Sequence, residues 1–212
     1  MSKRVYGRRP SPRDRRDDKH LLPSKVSNRV SRYWRDKWIS ADQKQTPHCV
    51  AFAFGHWLAT SPMRKYVDPH GLYDGCKLID GSPGDGTYVR AGAEILRKGG
   101  WINKYKWART LKALVYTVLE LGPVVVGTDW YEGMDNGGVM HLAGDILGGH
   151  AYLIVGANQK TRLFKIKNSW GRSWGDGGYA WISFDDMATL LKDGGEVCLA
   201  TKSKPESKWL GK

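Results

Sequence analysis

The first half of the chain has apolar residues at the spacing of amphipathic helices. Three such segments cover residues 46 to 58, 88 to 98 and 110 to 120. The first begins with Thr46 and Pro47, two residues favoured at helix N-termini, so Cys49 is predicted to lie in the first helical turn. The other two segments are each followed by glycine, which commonly ends helices. The first half is therefore predicted to be mostly helical.

The second half has the pattern of short strands. Runs rich in β-branched and aromatic residues cover residues 124 to 128, 151 to 156, 163 to 167 and 179 to 184. Glycine, asparagine and aspartate separate these runs, as is typical of turns between strands. Because the helices come first and the strands follow, the pattern predicts an α+β fold of two subdomains with a cleft between them.

Composition is that of a globular protein. With 212 residues, of which 41% are hydrophobic, the chain is long enough to bury a core without disulfides or metals. Its three cysteines form no Cys-x-x-Cys pair, which favours a reducing compartment. The chain has no apolar run of about eighteen residues and no apolar stretch behind its first residues. We therefore expect a cytoplasmic protein with no membrane span and no secretory signal.

The net charge of +13 is concentrated at the two ends of the chain. Residues 1 to 37 carry +9 and residues 201 to 212 carry +3. The predicted organisation is a basic N-terminal arm over 1 to 37, a folded domain over 38 to 200 and a basic tail over 201 to 212. The basic ends either bind an acidic partner or nucleic acid or are solvated chain. Composition leaves open whether the arm lies along the cleft, wraps the back of the domain or binds a partner.

Cys49 is the candidate nucleophile. The first turn of a helix offers free backbone N–H groups and the positive end of the helix dipole, and both stabilise a thiolate. A buried and inert cysteine is the alternative for any cysteine considered alone. Cys76 is predicted to be a loop thiol and Cys198 a core residue of a strand, and no base is assigned to either.

Three separate segments of the chain resemble the papain family of cysteine peptidases. Gln43 lies six residues before Cys49, His150 follows a pair of glycines and opens an apolar run, and Asn168 begins the sequence Asn-Ser-Trp-Gly. These segments match the family in residue type, order and local spacing. The resemblance covers about residues 38 to 200 and is loose between Trp57 and Pro123.

The resemblance implies a catalytic role for each of these residues. Cys49 and His150 would form a thiolate–imidazolium pair, and Asn168 would hold the imidazole in orientation. Gln43 would donate its side-chain amide, together with the backbone N–H of Cys49, to the oxyanion of the tetrahedral intermediate. Trp170 would cover the hydrogen bond between Asn168 and His150. The implied function is hydrolysis of peptide bonds by a thiol protease.

The implied fold is papain-like and two-lobed. A helical N-terminal lobe would carry the helix of Cys49, an antiparallel β C-terminal lobe would carry His150 and Asn168, and the active site would lie in the cleft between them. A peptide or protein substrate would bind there in an extended conformation. Gly86 lies where the family lines the cleft with glycine, so it is a candidate for contact with the substrate backbone. No cofactor is expected, and no metal, because the histidines form no second pair at zinc-ligand spacing.

The chain departs from the family at three positions close to the predicted site. Val50 follows the cysteine where the family usually has Trp, His48 precedes it where a small residue is usual, and Gly149 replaces a polar residue. The cysteines that the family pairs near the nucleophile are absent. An alternative function is therefore a catalytically weak or inactive papain-like module that binds a protein or nucleic acid. A Cys-His amidase or acyltransferase is a third class, against which the Asn-Ser-Trp-Gly segment argues.

Overall fold

A computed structural model describes residues 4–36 and 41–201 of the chain. The predicted start of the folded domain at residue 38 lies outside the described residues, as does the predicted basic tail beyond Thr201. None of the helices in the described ranges is long and apolar enough to cross a membrane.

Five α-helices lie in the described residues, four of them before the main run of strands. They are α1 (Cys49–Ala59), α2 (Pro69–Asp80), α3 (Val89–Lys98), α4 (Leu111–Tyr116), which a π-helical turn over Thr117–Leu121 extends, and α5 (Phe184–Lys192). Two short 3-10 helices cover Arg15–Lys19 and Glu132–Met134. The helix predicted to follow residue 88 and the one predicted to follow residue 110 are confirmed.

Within the described ranges, ten strands form two sheets. They are β1 (Arg8–Arg9), β2 (Ser31–Tyr33), β3 (Thr87–Tyr88), β4 (Lys104–Trp107), β5 (Val124–Tyr131), β6 (Gly138–Met140), β7 (Ile146–Asn158), β8 (Leu163–Lys167), β9 (Tyr179–Ser183) and β10 (Glu196–Thr201). The large sheet has the order β4-β10-β5-β7-β8-β9-β6, and β2 also pairs with β7. Its pairs are antiparallel except for β6 with β9. The predicted α+β class is confirmed.

The two central strands, β5 and β7, bury both of their faces. Val125 and Leu153 belong to the core that includes α1, whereas Val126 and Tyr152 belong to the core on the other side of the sheet. Successive residues of a strand point to opposite faces, which explains this alternation. Helix α1 is itself buried over its whole length. It therefore lies fixed against β7, the strand that carries His150.

Two features of the helical half differ from the prediction. Helix α1 begins at Cys49, with His48 at its N-cap position, and Thr46 does not cap it but donates its hydroxyl to the Gln43 carbonyl at 2.6 Å. Helix α2 was not predicted, although Asp68 caps its N-terminus and Pro69 occupies its first position. Cys76 is consequently a buried residue of a helix, so its prediction as a loop thiol is wrong. Cys198 lies buried in β10, as predicted.

The N-terminal arm packs along the folded domain. Strand β1 pairs in parallel with β3, and β2 pairs antiparallel with the far end of β7. Between them, the buried carboxylate of Asp17 accepts a hydrogen bond from the Trp107 Nε1 at 2.8 Å and pairs with the guanidinium of Arg90. The arm thus contacts elements from both halves of the chain.

We expect Asp17→Ala to lower the free energy of unfolding by about 3–5 kcal/mol, because it leaves the largely buried Arg90 guanidinium without its counter-charge. Urea denaturation at neutral pH measures the change. Asp18→Ala removes the same charge from the adjacent exposed position and is expected to alter stability by less than about 0.5 kcal/mol. Equal urea midpoints for the two variants would contradict this role of Asp17.

Candidate active site

Cys49, the predicted nucleophile, is the first residue of α1 and is fully buried. Burial raises the pKa of its thiol to about 11, although backbone groups of Ala151, Gly7 and Val50 face the sulfur and oppose the rise. The position at the helix N-terminus is the one that activates a cysteine, but here it is closed to water. In this state Cys49 is therefore a neutral thiol at neutral pH.

His150, the predicted base, lies on β7 opposite Thr128 of β5. Its Nε2 is 2.8 Å from the side-chain oxygen Oδ1 of Asn168. Its other ring nitrogen, Nδ1, makes no hydrogen bond to any described residue. Burial lowers the pKa of the imidazole to about 4, and the nearby charge of Arg4 adds to this effect while the bond to Asn168 opposes it. The imidazole is therefore neutral at neutral pH.

Asn168 directly follows β8, and its backbone fixes where its side chain points. The backbone N–H donates to the Gly178 carbonyl at 3.0 Å, and Oδ1 also accepts from the Ser169 N–H at 2.8 Å. The ring of Trp170, 4% exposed, lies 4.7 Å from the His150 ring between centroids. The structure thus brings Asn168, His150 and Trp170 together, with the indole beside the imidazole.

Gln43 is 1% exposed and hydrogen-bonded at both ends of its amide. Its Nε2 donates to the main-chain carbonyls of Thr46 at 2.8 Å and Val5 at 3.2 Å. Its Oε1 accepts from the Ser169 hydroxyl at 2.6 Å, a contact that orients the amide. Ser169 was not among the predicted site residues, although it lies between two of them, Asn168 and Trp170, in the Asn-Ser-Trp-Gly segment.

The N-terminal arm lies in the cleft over these residues. Tyr6 places its ring 6.1 Å from both the His150 and the Trp170 rings, and its hydroxyl donates to Asp135 at 2.9 Å. The next residue, Gly7, accepts a hydrogen bond from the Thr87 N–H at 2.8 Å. Composition left open whether the arm lies along the cleft, wraps the back of the domain or binds a partner. The part of the arm around β1 lies along the cleft.

The arm approaches so closely that three positions have no room for a side chain. A Cβ on Gly7 would overlap the Pro47 carbonyl, and one on Gly86 would overlap the Gly7 carbonyl. A Cβ on Gly149 would overlap the carbonyl of Arg8. The predicted substrate-contact residue Gly86 thus faces the arm backbone. The departure from the family at Gly149 has a physical reason, since a polar side chain there would exclude the arm.

The other departures lie under and beside the nucleophile. Val50 is buried in the core that contains α1. His48 stacks on Tyr73 with ring centroids 3.7 Å apart, and its Nδ1 lies 2.9 Å from that of His70. The sequence did not indicate this histidine pair, because helix α2 brings it together. No group of three or more potential metal ligands occurs in the described part of the chain.

Comparison with known proteins identifies the family that the chain resembles. A family model described as "Papain family cysteine protease" matches residues 94–194. The match includes His150 and Asn168 and begins after Gln43 and Cys49. Two curated relatives are gamete and mating-type specific protein A of Dictyostelium discoideum, 36% identical over 89 residues, and cathepsin B-like cysteine proteinase 3 of Ostertagia ostertagi, 35% identical over 80 residues.

These curated relatives are matched only in part. The aligned region covers 40% of this chain and 20% of the Dictyostelium protein, and 35% of this chain and 46% of the Ostertagia protein. The chain thus spans less than half the length of either relative.

Solved structures are similar over nearly the whole chain. Xylellain, a cysteine protease from Xylella fastidiosa, has a TM-score of 0.80 at 18% identity, covering 96% of this chain and 99% of that one. Digestive procathepsin L2 proteinase from Tenebrio molitor has a TM-score of 0.71 at 19% identity, covering 93% and 78%. The predicted papain-like fold and the resemblance to papain-like cysteine peptidases are confirmed, and the matches support the predicted enzyme class.

The protonation of His150 is testable in the closed chain. Because burial lowers its pKa from 6.5 to about 4, the imidazole is expected to remain neutral as the pH falls through 6.5 and to take up a proton only near pH 4. The stability that the neutral ring contributes is complete above about pH 6.5 and is lost as the pH falls towards 4. NMR of the labelled imidazole carbons measures the midpoint. A midpoint near 6.5 would show that the ring is solvated, and a midpoint above 6.5 would show that it already pairs with a thiolate.

Proposed function

We propose that this papain-like chain is a cysteine peptidase that hydrolyses peptide bonds in peptide or protein substrates. The observation that carries the proposal is the buried 2.8 Å hydrogen bond between His150 Nε2 and Asn168 Oδ1, which leaves the second ring nitrogen available. A ring held in this way has one nitrogen oriented and the other able to exchange a proton. Cys49, at the N-terminus of the helix packed on the same strand, is the proposed nucleophile.

The reaction would follow from these positions. In the open enzyme, Cys49 carries the negative charge, His150 is protonated, and the thiolate attacks the carbonyl carbon of the scissile peptide. His150 then donates its proton to the leaving amine, and water later hydrolyses the thioester. Gln43 and the backbone N–H of Cys49 would stabilise the oxyanion. This role is supported by the Gln43 amide, which already donates to a main-chain carbonyl, that of Val5.

The arm-docked chain is proposed to be the resting form of the enzyme. Tyr6 lies beside His150, a backbone group of Gly7 faces the Cys49 sulfur, and burial favours the neutral form of both Cys49 and His150. A neutral thiol is a poor nucleophile, and no substrate carbonyl can reach it. Hydrolysis therefore requires the arm to leave the cleft, after which water and substrate take its place.

A non-catalytic binding module is the second candidate. Complete burial of Cys49 favours it, because the same contacts would suit a cleft that serves only to hold a peptide. Binding of an acidic partner or nucleic acid by the basic ends stays a prediction. Several cations of the arm are already paired within the chain, namely Arg8, Arg9, Arg16 and Arg29. The three-part division of the chain and the cytoplasmic location also stay predictions.

Displacing the arm should expose the nucleophile. Gly7→Ala introduces a Cβ that overlaps the Pro47 carbonyl, so the arm must move away from the start of α1. A loss of about 1.4 kcal/mol in arm docking raises the open fraction tenfold. We therefore expect at least about tenfold faster labelling of Cys49 by an epoxide inhibitor of papain-like enzymes, measured by mass mapping.

Gly71→Ala is the matched control, because a Cβ there meets only ordinary contact with Asp68 at 3.5 Å. It should leave the labelling rate unchanged. Cys76 and Cys198 are internal controls, since both are buried and burial raises the pKa of each thiol. Uniform labelling of all three cysteines would instead indicate unfolding, and unchanged labelling of Cys49 in Gly7→Ala would contradict the resting-form proposal.

The orienting role of Asn168 should appear in turnover. In the Gly7→Ala background, Asn168→Ala is expected to lower kcat on a broad peptide library by about 10²–10⁴-fold, the range of general acid–base contributions. Cys49→Ala should abolish turnover. Asn158→Ala, at the far end of β7, is the control and should retain it. Thiol-dependent hydrolysis that survives both Asn168→Ala and Cys49→Ala would show that this site is not the catalytic one.

A further inference from the structure

The buried side chain of Arg8 fills an acidic pocket beside the candidate active site. Arg8 is 6% exposed, and its guanidinium lies 3.0 Å from the Glu196 carboxylate and 3.8 Å from that of Asp129. It also donates to the Gly194 carbonyl at 3.1 Å. Three acceptors from two separate parts of the chain thus surround one guanidinium. Such an arrangement suits the planar fork of arginine better than the single ammonium of lysine.

The pocket is shaped to admit a long side chain. A Cβ on Gly127 would come within 3.1 Å of the Arg8 Nε and 3.2 Å of its Cγ. A Cβ on Gly149 would lie 3.2 Å from the Arg8 Cδ. Because Gly127 and Gly149 have no side chains, there is room between them for the aliphatic part of the Arg8 side chain. Glu196, 7% exposed, forms the charged end of this channel.

The pocket opens next to the residues proposed for catalysis. Arg8 directly follows Gly7, which contacts Pro47 close to Cys49, and its carbonyl lies against Gly149, the residue before His150. Its glycines and carboxylates belong to strands β5, β7 and β10 of the large sheet, and Gly194 lies just before β10, so none of these residues is part of the arm. The pocket and its carboxylates therefore remain in place when the arm leaves. They stay beside Gly149, which is one residue before the proposed base His150.

We propose that this pocket selects substrates with an arginine side chain, and that Glu196 is the main specificity residue, assisted by Asp129. The inference rests on the proposed function. When the arm leaves, a buried carboxylate loses its partner, and a substrate guanidinium restores the charge pair. In the resting form, the arm places an arginine side chain, that of Arg8, where the substrate would place its own. The competing explanation is that Glu196 serves only to retain the arm.

Paired substrates test the proposal. Two fluorogenic peptide libraries are identical except that one fixes arginine and the other fixes citrulline, its neutral near-isostere, at each position in turn. With the full chain carrying Gly7→Ala, we expect kcat/KM to be about tenfold to a hundredfold higher for arginine at one position, the size of a charged hydrogen-bonded contact. Adding Glu196→Gln should remove that preference and retain hydrolysis of the citrulline peptide. Glu94→Gln, which alters a carboxylate on α3 paired with Arg97, is the matched control.

Each outcome decides one proposal. Hydrolysis with equal rates for arginine and citrulline would overturn the specificity pocket and leave the peptidase standing. If no peptide is hydrolysed, the proposed function fails, and a binding experiment then tests whether the pocket prefers arginine.

For the binding experiment, full chains carrying Cys49→Ala with either Gly7→Ala or Arg8→Ala are titrated into labelled arginine and citrulline peptides. Fluorescence polarisation measures the affinities for the two peptides. Arg8→Ala empties the pocket without touching its walls, so it serves if Gly7→Ala does not fold. Equal affinities overturn the proposal, and a preference for arginine that Glu196→Gln removes supports it.

Discussion

Close approach of backbone to backbone in the cleft is the constraint on which this structure depends. Gly7 of the arm lies against the Pro47 carbonyl. In the cleft wall, Gly86 lies against the carbonyl of Gly7, and Gly149 lies against the carbonyl of Arg8. None of the three glycines, Gly7, Gly86 and Gly149, has space for a Cβ. A segment that fits so tightly excludes water from what lies beneath it. Cys49 and His150 are buried as a result, although one begins a helix and the other lies on a strand.

The same contact that closes the cleft also changes its chemistry. Burial penalises charge, so it raises the pKa of the Cys49 thiol and lowers that of the His150 imidazole. Both shifts favour the neutral pair over the thiolate–imidazolium pair. In the proposed peptidase, steric exclusion of substrate and loss of the reactive charge state would therefore have one cause. The hydrogen bond from His150 to Asn168 persists in this state, so the ring keeps its orientation while it is neutral.

Sequence reasoning predicted those parts of the site that short segments encode. Cys49 at the start of α1, and His150 beside Asn168 across two paired strands, follow from local patterns and the family resemblance. The docking of the arm could not be predicted, because its composition is equally that of a solvated segment. The pocket around Arg8 was out of reach for another reason, since its carboxylate comes from Glu196, 188 positions away in the chain. Helix α2 was missed although its caps were visible, because only Leu72, Tyr73 and Cys76 form its buried face.

The departures from the family pattern gain a physical meaning from the arm. Gly149 in place of a polar residue makes room for the Arg8 carbonyl, and a glycine at that position removes nothing from the His150 to Asn168 contact. His48 stacks on Tyr73, whose hydroxyl accepts the Gly86 N–H at 2.9 Å, so it supports the wall on which the arm rests. Changes that in the sequence alone suggested a lost activity thus belong to a cleft built to hold its own N-terminal segment. Gln43, whose side-chain amide is held in orientation by Ser169, is the feature of the cleft that a binding module would not require.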